Sequence, residues 1–276
     1  LKILARKGVP VRVWPRAPKK MIKLHYTFDK TTKSQNLKKI ILKQNKNHPI
    51  TKSNFIVVVG GDGYMLKILK LYSKFNKPFY GINCGTFGFL MNRYISKNIE
   101  KKIIKAKKTL INPLNVTAVT NNNLKKQLLA INEVSLFRQS KQTALLRLKI
   151  GKKSVIKKLI GDGILVSTPA GSTAYNLSVN GPILTLNSGK LAVTPISPFR
   201  PRRWKGKTIS NKLSVKIINL DPNKRPVAAV ADNIEVRNIK YLNIEINKKI
   251  KINLLYERNS SLVKKIKIEQ LRKNTI

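Results

Sequence analysis

Residues 55 to 60, "FIVVVG", constrain the fold most strongly, because five consecutive apolar residues of strand-forming type leave no face for water. A strand buried on both faces belongs in a sheet covered above and below, and such sheets are built from parallel strands joined by crossover helices. The flanking segments repeat that alternation. "MIKLHYTF" alternates like a first strand from Met21, and "SQNLKKIILKQN" has the spacing of an amphipathic helix. "YMLKILKLYSKF" follows as a second helix, "PFYGIN" as another buried strand and "SKNIEKKIIKAKK" as a further helix. The pattern predicts an N-terminal Rossmann-like α/β domain over residues 21–112.

After Pro113 the texture changes. "LNVTAVT", "QLLAINEVSLFR", "ALLRLKI", "KKLIGDGILVST", "KLAVTPIS", "KLSVKII", "PVAAVA", "YLNIEIN" and "KIKINLLYE" are short, β-branched and separated by polar turns. They predict a C-terminal β-sandwich domain over residues 113–255. The end of the chain, residues 256–276, reads as a tail returning to the first domain, with "LVKKIKIEQLRKNTI" as its helix. Residues 1–20 are basic and interrupted by Pro10, Pro15 and Pro18; they lack the unbroken apolar run of a signal peptide and read as a disordered arm.

The chain of 276 residues carries 57 Lys and Arg against 11 Asp and Glu, a net charge of +46. A basic balance attracts nucleic acid, yet the lysines are scattered rather than gathered in a stripe, and Lys, Asn and Ile are all abundant. Compositional bias is the simpler source, so no specific nucleic-acid partner is expected, although such a surface still steers small polyanions. A lone cysteine, Cys84, permits no internal disulfide and suits a reducing cytoplasm. His25 and His48 cannot build a histidine-rich metal site, and no apolar run has the length of a membrane span.

Scarcity makes each carboxylate informative. Only Asp62, Glu100, Glu133 and Asp162 fall between residues 30 and 220, and three of these four lie beside apolar strand-like runs. Asp62 stands in "GGDG", where Gly60, Gly61 and Gly63 form a strand-to-helix turn. Glycines there permit unusual backbone conformations and close approach, and successive N–H groups followed by a helix N-terminus cradle phosphate. A carboxylate in a phosphate cradle repels its ligand unless it faces the nucleophile, where it accepts the proton of an attacking hydroxyl. The plainer alternative is an aspartate that caps the helix.

Further motifs follow in order. "GINCGTFGFLMN", with Gly81, Gly85 and Gly88, closes the next strand beside the first glycine turn. In "AINEVSLFR" the Asn132 amide suits a base or hydroxyl, and the Glu133 carboxylate accepts from ribose hydroxyls. "GDGILVSTPAGSTAYNLSVNGPI" sets Asp162 between glycines and runs into a long polar turn whose hydroxyls and Tyr175 ring suit a base and its sugar.

With these elements in order the chain resembles the NAD kinase family, in its short bacterial form, from about Met21 onward. The resemblance implies phosphorylation of the 2′-hydroxyl of the adenosine ribose of NAD by ATP, giving NADP, with a divalent cation, Mg, whose ligands stay open. It implies Asp62 as proton acceptor with Gly63 beside it, and Asn132, Glu133, Asp162, Ala170, Thr173, Ala174, Tyr175, Asn176, Leu177 and Ser178 at NAD. Lys67 and Phe89 are added contacts, and a homodimer or homotetramer is the implied assembly. A lipid or sphingoid-base kinase sharing "GGDG", or a basic nucleic-acid-binding protein, are the competing readings. Three departures stand out: Asn180 and Asn233 where many members have glycine, and "TPISPFRPRRW", whose Arg200, Arg202 and Arg203 read most simply as a solvated basic loop.

Overall fold

A computed structural model describes residues 2–4, 10–12, 22–85, 88–94, 98–257 and 265. Within the expected N-terminal arm, Lys2–Leu4 pairs antiparallel with Pro10–Arg12; the rest of residues 1–20 lies outside the described residues.

The "FIVVV" strand is buried as its composition demands. Its four central residues are fully inaccessible, and they divide by a period of two: Ile56 and Val58 join one core cluster, Val57 and Val59 another. Helix α1 (Thr32–Gln44) and helix α3 (Ile99–Lys105) cover the second face through Ile41, Ile99 and Ile103. Helix α2 (Asp62–Tyr72) covers the first through Met65, Ile68 and Leu69, the i, i+3, i+4 stripe of an amphipathic helix. Each such side chain contributes about 1.5–3 kcal/mol by leaving water, which fixes α2 and so its first residue, Asp62.

The sheet runs Leu24–Phe28, Phe55–Gly60, Phe79–Asn83, Ile252–Tyr256, Lys107–Ile111. The first four strands are parallel and the last is antiparallel. Two expectations are corrected here. "KIKINLLYE" does not join the sandwich; it inserts between Phe79–Asn83 and Lys107–Ile111, because buried Asn92 ties it there by donating to the Leu255 carbonyl and accepting from the Glu257 N–H. The helix expected over 96–108 ends at Lys105, and Lys107 and Lys108 open the edge strand. Only Ile99 and Ile103 anchor that helix, so nothing apolar extends it through the lysines.

The short strand Asn92–Arg93 also pairs with Phe79–Asn83, and twelve further strands form two six-stranded antiparallel sheets. One runs Lys207–Ser210, Lys190–Ile196, Gly163–Ser167, Glu133–Arg138, Val227–Ala231, Ile234–Val236; the other runs Lys153–Gly161, Ala144–Ile150, Val215–Asn219, Ile239–Ile246, Leu114–Thr120, Lys125–Ala130. Val134, Leu136, Ile164 and Val166 of the first share one core with Leu146, Leu148, Ile217 and Leu242 of the second, which makes a sandwich. Two segments read as single strands are in fact corners. "QLLAINEVSLFR" changes sheets at Ile131–Asn132, and "KKLIGDGILVST" changes sheets at Asp162. A side chain on Gly163 would start 2.0 Å from the Leu136 carbonyl oxygen, so the second corner needs that glycine.

The sandwich is joined to α2 in two ways. Ile131 and Ala170 pack into the cluster of Met65, Ile68, Leu69 and Leu90. Asp232, in the left-handed region at φ 53° and with a side chain only 2% exposed, accepts from the Ile131, Asn132 and Glu133 N–H groups at 2.8, 2.9 and 3.4 Å and pairs with Lys70 of α2 at 2.9 Å. Replacing Asp232 by alanine removes the acceptor of three N–H groups and takes the carboxylate from the Lys70 ammonium, which keeps only 3.4 Å contacts to the Ala231 carbonyl and Asn233 Oδ1 among the described residues. We expect a loss of about 3 kcal/mol in urea unfolding at neutral pH. The Lys70→Met variant, which leaves the three N–H bonds in place, is expected to lose less.

Candidate active site

Asp62 opens α2, where a carboxylate meets the positive end of the helix dipole. It does not cap that helix. Its side chain instead reaches the loop after the next parallel strand, where Oδ2 accepts from the Phe89 N–H at 2.8 Å and Oδ1 from the Leu90 N–H at 3.1 Å. Both glycine motifs therefore meet at one carboxylate. Burial pushes the Asp62 pKa upward, and the two N–H bonds and the Lys265 ammonium pull it back in part.

None of the three glycines of the turn needs an unusual dihedral angle, which corrects that part of the expectation, and crowding requires a glycine only at Gly60. Gly60, Gly61 and Gly63 are absent from the positive-φ positions, and Gly61 is extended at φ −108° and ψ 179°. A side chain on Gly60 would press within 2.9 Å of Tyr64 and 3.0 Å of Asp29, whereas at Gly61 and Gly63 no described atom lies within 4 Å. Main chain at those two positions is thus open to an approaching ligand. Lys67, one turn further along α2, is exposed.

On the sandwich side, the corner at Asn132 is held by Asp232, which accepts from the Ile131, Asn132 and Glu133 N–H groups. Three buried polar atoms there, Asn132 Oδ1, Glu133 Oε2 and Thr173 Oγ1, lack a hydrogen-bond partner among the described residues. Unpaired buried polar groups are costly, and three of them in one region are what a hydroxyl-rich ligand would satisfy. Burial raises the Glu133 pKa to about 8, with the Asp232 charge a second cause. The polar turn is pressed onto this corner: Thr168 donates through its N–H to the Asn132 carbonyl at 2.8 Å and through its hydroxyl to that of Ile131 at 2.7 Å. Gly171 sits so close that a side chain would start 2.3 Å from the Asn132 oxygen.

The other expected residues divide by what occupies them. The Tyr175 ring lies 5.6 Å from that of Phe137, and burial, Asp162 and Glu133 together raise its phenol pKa. Ala170 packs toward α2, Ala174 and Leu177 are half-buried, and Ser178 is exposed. Asn176 is saturated: its amide donates to the Ser172 and Pro182 carbonyls, and its oxygen accepts from the Thr194 hydroxyl at 2.7 Å. Its side chain braces the turn, and any side chain on Gly181 would strike it at 2.1 Å. Asp162 accepts from Arg138 Nε at 2.5 Å in a pair about one-third exposed. Beside Ser178 lies a cavity of about 590 Å³ lined by Asn180, Ser197, Arg202, Trp204 and Lys205. Arg200, Arg202 and Arg203 are exposed, the first and second over the Phe199 ring. Asn180 adopts φ 61°, the left-handed conformation that explains glycine as its usual counterpart.

Lys70, Asp232, Arg138 and Lys265 belong to this region and escaped the motif reading. Asp232 lies outside residues 30–220, the stretch in which scarce acids were singled out, and nothing in a lysine-rich chain distinguishes Lys70 or Lys265. Among the described residues no group of three or more Asp, Glu, His or Cys side chains gathers to hold a metal ion.

The comparisons agree with this geometry. Residues 2–107 match the ATP-NAD kinase N-terminal domain and residues 131–253 the ATP-NAD kinase C-terminal domain. An NAD kinase of Zymomonas mobilis is 42% identical over 244 residues, covering 88% of this chain and 95% of the relative. One of Brucella melitensis is 41% identical over 249 residues, covering 90% and 97%. Yeast NADH kinase complexed with NADH shares the fold at a TM-score of 0.76 and 18% identity, covering 94% of this chain and 90% of that one. An Archaeoglobus fulgidus NAD kinase in complex with ATP does so at 0.68 and 23%, covering 89% and 98%. With both domain models spanning most of its length and relatives above 40% identity along nearly all of it, this chain belongs to the NAD kinase family.

Proposed function

We propose that this chain transfers the terminal phosphoryl group of ATP to the 2′-hydroxyl of the adenosine ribose of NAD, giving NADP. Two observations support the reading: a half-buried carboxylate, Asp62, opens α2, and the sandwich corner that Lys70 ties to the same helix carries three buried polar atoms without a partner among the described residues, Asn132 Oδ1, Glu133 Oε2 and Thr173 Oγ1. Asp62 accepts the 2′-hydroxyl proton as that oxygen bonds to the γ-phosphorus; the bond from phosphorus to the bridging oxygen breaks, and ADP leaves with the electron pair. Asn132, Glu133 and Thr173 hold the ribose hydroxyls, and Tyr175 offers its ring to a base. The open main chain at Gly61 and Gly63 faces the phosphates, with exposed Lys67 adding charge.

The described residues supply no preformed metal cage, so a divalent cation would arrive on the triphosphate oxygens, and no step above depends on a protein ligand to it. Assembly as a homodimer or homotetramer fits the exposed Phe199 and Leu124, and a cytoplasmic setting fits the single free thiol of Cys84. No helix among the described residues is long and apolar enough to cross a membrane.

Incubation with NAD, ATP and magnesium is expected to yield NADP, read with an NADP-specific dehydrogenase. Absence of NADP from folded protein, with other divalent metals and other phosphoryl donors tried, overturns the reading. The Asp62→Asn variant is expected to bind NAD and to turn over on the order of 10²- to 10⁴-fold more slowly. Near-normal turnover removes Asp62 from the proton transfer.

Glu133 generates a pH signature. If its carboxylate accepts from ribose hydroxyls, binding below about pH 8 must expel the proton that burial keeps on it. NAD affinity is then expected to rise with pH up to about 8, with proton release visible in calorimetry across buffers of different ionisation enthalpy. Glu133→Gln is expected to abolish that release. The stability effect has the opposite slope: the native state holds the proton that the unfolded chain loses near 4.5, so Glu133 makes the fold less stable as pH rises from there to about 8.

A further inference from the structure

We propose that Lys265 is a positioning residue for Asp62, holding the 88–91 turn in the orientation that presents its N–H groups to the carboxylate. The proposal rests on the reading of Asp62 as proton acceptor. Lys265 Nζ donates to the carbonyls of Gly88 at 3.1 Å, Phe89 at 2.9 Å and Met91 at 2.5 Å, which uses all three ammonium donors. The Gly88 carbonyl and the Phe89 N–H belong to one peptide group, and the Phe89 carbonyl and the Leu90 N–H to the next. A trans peptide group is planar, with its oxygen and hydrogen pointing opposite ways. Two successive peptide groups are therefore held at both ends, oxygens on the Lys265 cation and hydrogens on the Asp62 anion.

That arrangement polarises both peptide groups in one sense and makes each bond stronger than it would be alone. It also explains why a lysine is buried here. The Lys265 ammonium lies over the Tyr256 ring at 5.4 Å, and burial lowers its pKa to about 8, while Asp62 and Glu257 pull it upward. Of the groups that face it, Glu257 is bound to the Tyr80 hydroxyl and the Lys102 ammonium, so Asp62 is the carboxylate left for Lys265 to balance. On the other side, Asp62 faces Lys265 and Tyr256. Leu90 and Met91 anchor the end of the turn in the core, and these polar contacts hold the peptide groups before them.

Lys265→Met keeps most of the apolar stem and removes the donors. Hydrogen exchange at the Phe89 and Leu90 amides is expected to accelerate roughly tenfold or more, with Val57 to Val59 amides unchanged as the control for folding. The acid limb of kcat is expected to move to higher pH by half a unit or more, because loss of the cation and of fixed N–H donors favours the proton on Asp62. Turnover near neutral pH should fall on the order of tenfold with KM for NAD within about twofold, the pattern of a misplaced group rather than a lost binding contact. Lys265→Arg restores the charge and is expected to return the limb toward its starting pH. Protected Phe89 and Leu90 amides in Lys265→Met, or reduced turnover with an unmoved acid limb, overturn the proposal. If the methionine variant does not fold, Lys265→Gln takes its place: faster exchange at both amides with a raised acid limb supports the clamp, and protected amides or an unmoved limb overturn it. Exchange reads the clamp without turnover, so failure of the unsubstituted protein to make NADP counts against the proposed activity and leaves the clamp to be judged on its amides.

Discussion

The contact on which the site depends is the Asp232 carboxylate, which accepts three successive backbone N–H groups of the sandwich corner and one ammonium from α2. A carboxylate is an acceptor at both oxygens, and a chain turning a corner presents several unpaired donors at once, so one residue satisfies the corner and sets its direction. Lys70 then ties that corner to the helix whose first residue is Asp62. The helix and the corner, built on unlike folds and separated in sequence, acquire a common reference. Ile131 and Ala170 fill the space between with apolar contact, which holds the distance, while the ion pair and N–H bonds hold the angle.

Three carboxylates within this region experience three environments, and their roles follow. Asp232 gives its charge to structure, bound by three N–H groups and an ammonium. Glu133 has one oxygen with no partner among the described residues, and burial pushes its pKa up to about 8. Asp62 is subject to opposing influences: burial raises its pKa, while two N–H donors and a nearby ammonium act to lower it. Identical chemistry at the level of residue type is thus separated by what the backbone points at each group.

The alternation of strands and helices up to residue 112 was legible because buried strands and amphipathic helices carry different periods, and the scarcity of acids made Asp62 and Glu133 conspicuous. The corners were not. At Ile131–Asn132 and at Asp162 the chain changes sheets while the alternation of apolar and polar residues continues, since both sheets bury the same face toward one core. Nor could the insertion of Ile252–Tyr256 into the first sheet be read locally: its residues suit either partner, and buried Asn92, distant in sequence, decides the matter. The glycines of the first turn were visible, but of the two reasons offered for them the dihedral one does not hold, because a residue type shows that a side chain is absent without saying whether angle or space required it. Lys265 is chemically indistinguishable from its many neighbours of the same type until the carbonyls that surround it are known.

A net charge of +46 makes the placement of these carboxylates more than a local matter. Like charges spread over a surface repel one another, but water and salt screen them beyond roughly 8–10 Å, so the excess destabilises the fold weakly while still attracting polyanions at close range. Around Asp62 and the Asn132 corner the balance differs, because burial weakens screening and the carboxylates there have cationic counterparts: Asp232 pairs with Lys70, Asp162 with Arg138, and Asp62 lies near Lys265. Burial keeps the proton on Glu133 up to about pH 8. The charges of this region are therefore close to balanced while the chain as a whole is strongly basic, so the pull on a polyanion comes from the exterior. That contrast requires acids to be few: with ordinary numbers of Asp and Glu outside, the exterior would lose its excess charge.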